Sequence, residues 1–119
     1  MKNTWLIALL GLLLATGAFA PAPASAAPNY GAAGAFALAD SELTTGAMLT
    51  FALQDEYLAR AEYQKTLEKF GQSRPFSNII KAEEQHIAWL VPLFGKYGVT
   101  LPPDRGPELA PVPETFDAA

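Results

Sequence analysis

Three ionisable residues lie in positions where the sequence pattern calls for apolar packing. Glu56 falls in the apolar stripe of one predicted helix, and Glu83 and His86 fall in the stripe of the next. At about 100° per residue, Glu83 and His86 project from adjacent turns of one face. A carboxylate buried without a partner is costly, so such groups are normally paired, protonated or coordinated to a metal. A Glu and a His three residues apart, with a Glu from the facing helix, can share one cation, and this donor set favours iron or manganese.

Simpler interpretations of the same residues stay open. Arg60 follows Glu56 by four residues, the spacing of an ordinary ion pair on a helix surface. His86 is the single histidine, and a lone histidine on an apolar face often only hydrogen-bonds in the core. Glu62 is a rival ligand, because it matches Glu83 better in height along the two helices, although it falls on a side that looks solvated.

Two helices must position these side chains. The first is predicted to begin at an N-cap in Asp40-Ser41, with Glu42 as early negative charge, and to end at Phe70 before Gly71. The second is predicted from Phe76 to Tyr97, with Pro75 before it and Gly98 behind it. The apolar stripe of the first helix consists of Leu49, Ala52, Leu53, Ala59, Tyr63, Leu67 and Phe70. The stripe of the second consists of Phe76, Ile79, Ile80, Ile87, Leu90, Phe94 and Tyr97.

The segments outside the helices differ sharply in composition. Residues 1–26 have a basic start, an apolar run and a small-residue cleavage pattern, Ala24-Ser25-Ala26, which predict a secretory signal peptide. Residues 27–39, mostly Ala and Gly, are predicted to be a flexible leader. Residues 40–98 form the predicted helical hairpin. Residues 99–119 carry five prolines and are predicted to be a disordered tail.

Length and charge narrow the function classes. The chain has 119 residues, no cysteine and a formal charge of −4. The absence of cysteine excludes disulfides, thiol catalysis and Cys-type zinc sites. Because no dense cluster of Lys and Arg occurs, we expect no nucleic-acid partner and, after signal cleavage, no membrane partner. An exported protein, periplasmic or extracellular, is predicted.

The motifs resemble a family of exported bacterial ferritin-like domains of unknown function. The resemblance rests on Leu-Gln-Asp-Glu-Tyr-Leu-Ala-Arg at 53–60, Phe-Ser-Asn-Ile at 76–79, Glu-Glu-Gln-His at 83–86 and Lys-Tyr-Gly at 96–98, and it covers residues 40 to 103. In the wider ferritin-like superfamily, a four-helix bundle holds two iron or manganese ions between two single Glu residues and two Glu-x-x-His motifs. Glu56 matches the single Glu, and Glu83 with His86 matches Glu-x-x-His. The resemblance thus implies metal ligands at these positions and oxidation of iron(II) by oxygen or peroxide.

The chain departs from that pattern because it contains each motif once. It therefore looks like half a bundle, an all-α antiparallel two-helix hairpin that cannot bury both stripes alone. We expect a homodimer or higher homo-oligomer that completes the four-helix bundle, with two iron or manganese ions per dimer. The alternative is a metal-free helical interaction or scaffold module, in which Glu56 pairs with Arg60 and His86 is simply hydrogen-bonded.

Overall fold

Helices are the only regular secondary structure in the described part of the chain. A computed structural model describes residues 29–71 and 74–115, and no strand occurs among them, which confirms the all-α prediction. The predicted signal peptide lies outside the described residues. No helix in the two described ranges has both the length and the apolar character to cross a membrane. The helices are α1 (Gly31–Ala37), α2 (Thr45–Phe70), α3 (Phe76–Tyr97) and α4 (Gly106–Leu109).

The start of α2 differs from the sequence prediction. Asp40–Glu42 form a separate 3-10 turn, in which the Glu42 carboxylate accepts the backbone N–H of Ala39 at 3.1 Å. The N-cap is Thr44, whose hydroxyl accepts the N–H of Ala47 at 3.1 Å. Threonine satisfies an orphan N–H of the first turn as an aspartate or serine would, so several residues of this stretch could have begun the helix.

The core of the fold lies between α2 and α3. Leu53 and Phe94 are 0% and 2% exposed, and they pack with buried Ala52, Tyr57 and Leu90. A second cluster joins Leu67 on α2 to Phe76 on α3. The early half of α2 therefore packs against the late half of α3, and the end of α2 packs against the start of α3. The α3 bounds coincide with those that the apolar period and the flanking Pro75 and Gly98 predict.

Residues 29–44, which include the described part of the predicted flexible leader, form two helical turns and contact α2. The first N–H groups of α1 are satisfied by α2 side chains: Gly31 donates to Gln54 at 3.0 Å, and Ala32 donates to Asp55 at 3.3 Å. Gly34 lies so close to the Phe51 ring that a Cβ would not fit. These contacts come from the tertiary structure, so Ala and Gly composition alone gives no sign of them.

Residues 99–115, the described part of the predicted disordered tail, also contact α2. We call residues 99–115 the C-terminal strap. Its prolines prevent a long helix as expected, which leaves backbone carbonyls without local partners. Lysines of α2 supply the missing donors: Lys65 Nζ donates to Ala110 O at 2.6 Å, and Lys69 Nζ donates to Pro113 O at 2.7 Å. The strap therefore lies along α2 and forms part of the fold.

Candidate metal site

One aromatic contact sets the register of the site. The rings of Tyr63 on α2 and Phe76 on α3 lie with their centroids 5.9 Å apart. Glu56 precedes Tyr63 by seven residues, and Glu83 follows Phe76 by seven residues. Seven residues correspond to about 10 Å of helix, so in two helices that run in opposite directions the two carboxylates come to the same height. Phe76 thus begins α3 beside Tyr63 and Leu67 rather than level with Phe70, which removes the height difference that the linear sequence suggests.

The three predicted residues come together at this height. Nδ1 of His86 lies 3.1 Å from Oε2 of Glu56 and 3.4 Å from Oε2 of Glu83. One ligand atom from each residue can be chosen so that all lie within 4.8 Å of one another. Adjacent ligands of an ion bound at about 2.1 Å are separated by about 3 Å, so the two measured separations suit a shared cation.

Glu56 is the most deeply buried member of the cluster. Its side chain is 2% exposed, and Oε1 has no hydrogen-bond partner among the described residues. Glu83 and His86 are 13% and 24% exposed. A buried carboxylate oxygen without a hydrogen-bond donor is rare, because no hydrogen bond offsets the free-energy cost of removing the oxygen from water. This orphaned atom is therefore the feature of the site that most needs a ligand.

The surroundings of Glu56 favour its uncharged form. Burial raises the pKa of the Glu56 carboxyl well above its usual range, and a hydrogen bond with Glu83, the charge of Glu83 and the charge of Asp55 raise it further. The side chains that raise this pKa, Glu83 and Asp55, are both acids, and the one basic side chain in contact with Glu56 among the described residues is His86. A metal ion would reverse this balance, since it stabilises the ionised carboxylate.

Two further acids of α2, Asp55 and Glu62, do not belong to the group formed by Glu56, Glu83 and His86. Asp55 is occupied by the N–H of Ala32 in α1, and burial raises its pKa. Glu62, the rival ligand, is not a member of the group that could hold an ion in the described chain. Burial alone raises the pKa of the Glu62 carboxyl. Burial, followed by the charges of Glu83 and Glu62, raises the pKa of Tyr63, which therefore remains a neutral phenol beside the cluster.

Trp89 adjoins the site through a contact with His86 that was not predicted from the sequence. Its ring lies 5.8 Å from the His86 ring with a tilt of 37°, and the residue is 65% exposed. The position three residues after His86 is a sequence signal for this contact, because i and i+3 side chains are neighbours on a helix.

The ion pair between Glu56 and Arg60, which their spacing left open as an alternative, is not formed in the structure. Arg60 Nη2 instead lies 2.5 Å from Oδ2 of Asp104 in the C-terminal strap. The partner of Arg60 is 44 residues away in sequence, so i,i+4 spacing could not reveal it.

No protein-family model matches the chain, and no curated protein or solved structure matches it.

Proposed function

We propose that the chain is an exported ferritin-like metal-binding protein whose Glu56, Glu83 and His86 bind iron or manganese. The observation that carries the proposal is the cluster itself: two carboxylates and an imidazole within reach of one ion, with Oε1 of the buried Glu56 unpartnered. Oxygen-rich donor sets with one imidazole suit iron and manganese better than metals that prefer thiolate.

Each residue has a distinct part in holding the ion. Glu56 gives up its proton and provides a buried anionic oxygen, while Glu83 provides the second carboxylate from the facing helix. His86 provides Nδ1, and the Trp89 ring restricts the movement of the imidazole on its outer side. When bound, an iron pair would supply one-electron redox chemistry. Leu53, which is fully buried in the core, lies one turn before Glu56 on α2 and would limit water on that side of the ion.

Two copies complete the proposed half-bundle. Three donors from one chain leave coordination positions that a second copy can fill with its own cluster. Trp89 and Tyr97 are 65% and 54% exposed, and both lie within about 80° of His86 around α3. Together they leave on the order of 250 Å² of aromatic surface uncovered, a substantial share of the about 800 Å² that each partner of a standard interface buries. The proposed homodimer therefore pairs through this flank and holds two ions.

The expected activity is oxidation of iron(II) as a substrate. With peroxide as the oxidant, two iron(II) ions each lose one electron, the O–O bond breaks, and two protons are taken up to give two waters. The carboxylates of Glu56 and Glu83 stabilise the higher charge of iron(III), which is the general advantage of an anionic oxygen shell.

Metal binding by the processed chain tests the proposal. The full chain is expressed in a bacterium with export, the product is purified, and mass spectrometry identifies its N-terminus, which is expected at Ala27. Bound metal is then measured after dialysis against Mn(II) in air and against Fe(II) without oxygen. We expect about one ion per chain, a dimer in sedimentation, and iron(III) formation when peroxide is added.

Matched variants separate the site from its surroundings. The Glu83→Gln/His86→Gln variant should lose bound metal, whereas Glu84→Gln, an exposed carboxylate next to Glu83, should retain it. Glu62→Gln should also retain it. If the double variant binds as much metal as the wild-type chain, the metal site is wrong and the metal-free module is the better description. A metal-loaded monomer would contradict the dimer alone.

A further inference from the structure

We propose that Asp104 is a positioning residue for the candidate metal site. By holding Arg60 away from Glu56, Asp104 leaves the Glu56 carboxylate free to bind a metal cation. The inference rests on the proposed metal-binding function, and it concerns how that site is kept free of a competing internal cation.

The spacing of Glu56 and Arg60 would allow the Arg60 guanidinium to compete with a metal ion for the Glu56 carboxylate. Residues at i and i+4 of a helix have Cβ atoms about 5–6 Å apart, and an acid placed before a base at this spacing is the favoured order for an ion pair. Arginine also forms forked hydrogen bonds with carboxylates and loses its hydration more readily than lysine. A free Arg60 would therefore find Glu56 as its nearest partner on α2.

The C-terminal strap provides a different partner. Nη2 of Arg60 lies 2.5 Å from Oδ2 of Asp104, and the guanidinium carbon lies 5.5 Å from the centroid of the Tyr57 ring. The two charged side chains are 26% and 29% exposed. Pairs with this much exposure contribute little to stability, so the placement of charge is the more important consequence of this contact.

The Asp104 side chain is itself held at both oxygens. Oδ1 accepts the backbone N–H of Gly106 at 2.8 Å, while Oδ2 accepts from Arg60. Gly106 in turn packs against the backbone carbonyl of Tyr57 so closely that a Cβ has no room. The adjoining backbone is fixed by Tyr30, whose hydroxyl donates to Pro103 O at 3.4 Å and accepts from the Arg105 N–H at 3.1 Å. Asp104 is thus held by Arg60 of α2 and by the strap, whose adjoining backbone is bound by Tyr30 just before α1.

The result is a cluster with which no lysine or arginine of the described residues forms an ion pair. Arg60 is paired with Asp104, and the basic side chain that contacts Glu56 is His86, which is itself a proposed ligand. Were Arg60 to pair with Glu56, a metal ion would have to displace the guanidinium before it could bind the same oxygen. Removal of Asp104 should therefore weaken metal binding without changing any ligand.

A double-variant cycle in the full, processed chain tests this directly, with Mn(II) as the probe. Asp104→Asn should bind Mn(II) about tenfold more weakly than the wild-type chain, the range typical of residues that position metal ligands. Adding Arg60→Gln to Asp104→Asn removes the competing charge and should restore the affinity. Glu108→Gln, which breaks the exposed Arg105–Glu108 pair of the same strap, is the matched control and should leave the affinity unchanged.

The outcomes separate the inference from the proposed function. Equal affinities for the wild-type chain and Asp104→Asn overturn the inference and leave the metal site intact. Weak binding that persists in the double variant also overturns it, because the loss is then structural. A wild-type chain that binds no Mn(II) overturns the proposed function itself. Restored affinity in the double variant, with thermal stability equal to that of Asp104→Asn, supports the positioning role.

Discussion

The metal-free protein should lose stability as the pH rises, and Glu56 should account for much of the loss. In the folded chain the pKa of the Glu56 carboxyl is raised far above the value of 4.5 that an exposed glutamate has. The folded state therefore keeps a proton that the unfolded chain has already released. The stabilisation is fully present below pH 4.5 and is lost progressively as the pH rises towards the folded-state pKa.

The size of the effect follows from one bound proton. While the folded chain holds one proton more than the unfolded chain, the free energy of unfolding falls by about 1.4 kcal/mol per pH unit. Between pH 5.5 and 7.5 Glu56 alone should therefore remove about 2.7 kcal/mol. In a domain of this size that corresponds to a decrease in Tm of roughly 10–20 °C. The pKa values of Asp55 and Glu62 are also raised by burial, so ionisation of these two groups changes the free energy of unfolding in the same direction.

Comparison of two chains isolates the Glu56 contribution. Urea unfolding of the wild-type chain and of Glu56→Gln, both with a chelator present, is followed by circular dichroism from pH 5.5 to 7.5. Glutamine keeps the shape of the side chain but cannot ionise, so the slope in the variant should be smaller and should contain only the part that other groups supply. Equal slopes in the two chains would show that Glu56 is ionised in the metal-free protein, and the electrostatic description of the cluster would be wrong.

Three further predictions concern the site, the core and the strap. Saturating Mn(II) should release close to one proton per ion at pH 6.5, because metal binding ionises Glu56; calorimetry in buffers of different ionisation enthalpy measures this, and a value near zero would contradict the neutral carboxyl. Phe94→Ala should lower the free energy of unfolding by about 3–5 kcal/mol, since the 2%-exposed ring leaves a cavity; a loss under 1 kcal/mol in urea titrations would show that it is not a core residue. Gly106→Ala should lower the free energy of unfolding by about 1–3 kcal/mol, because the new Cβ meets the Tyr57 carbonyl. Gly95→Ala, in α3, places its Cβ in open space and should raise the free energy of unfolding by up to about 1 kcal/mol. Equal effects of the two substitutions in thermal melts would contradict the close fit of the strap.

The two long helices could be predicted because their signals are local. The apolar period, Pro75 and Gly98 define α3 from sequence, and Gly71 marks the end of α2. The grouping of Glu56 with Glu83 and His86 was predicted as well, yet their relative height was not. The relative height of the three side chains depends on which residue of α3 packs against Tyr63. The apolar periodicity of each helix does not indicate which residues of the two helices are in contact.

The flanking segments could not be predicted because their order depends on distant partners. The leader is ordered by Gln54 and Asp55, and the strap is ordered by lysines that lie more than 40 residues earlier. Composition correctly indicated that residues 99–115 form no long helix. It gave no information on whether α2 would offer donors to their carbonyls, because Lys65 and Lys69 look like ordinary surface residues in sequence.

Two seven-residue steps, from Glu56 to Tyr63 and from Phe76 to Glu83, determine where the chain tolerates insertions. Residues added between the two helices, beyond the Tyr63–Phe76 contact, alter neither step, and the entropic cost of a longer connection grows only slowly with its length. A single residue inserted between Glu56 and Tyr63, or between Phe76 and Glu83, would instead turn one carboxylate by about 100° and shift it by about 1.5 Å. Homologous chains that share the site should therefore vary in length at the turn and be free of gaps within both steps.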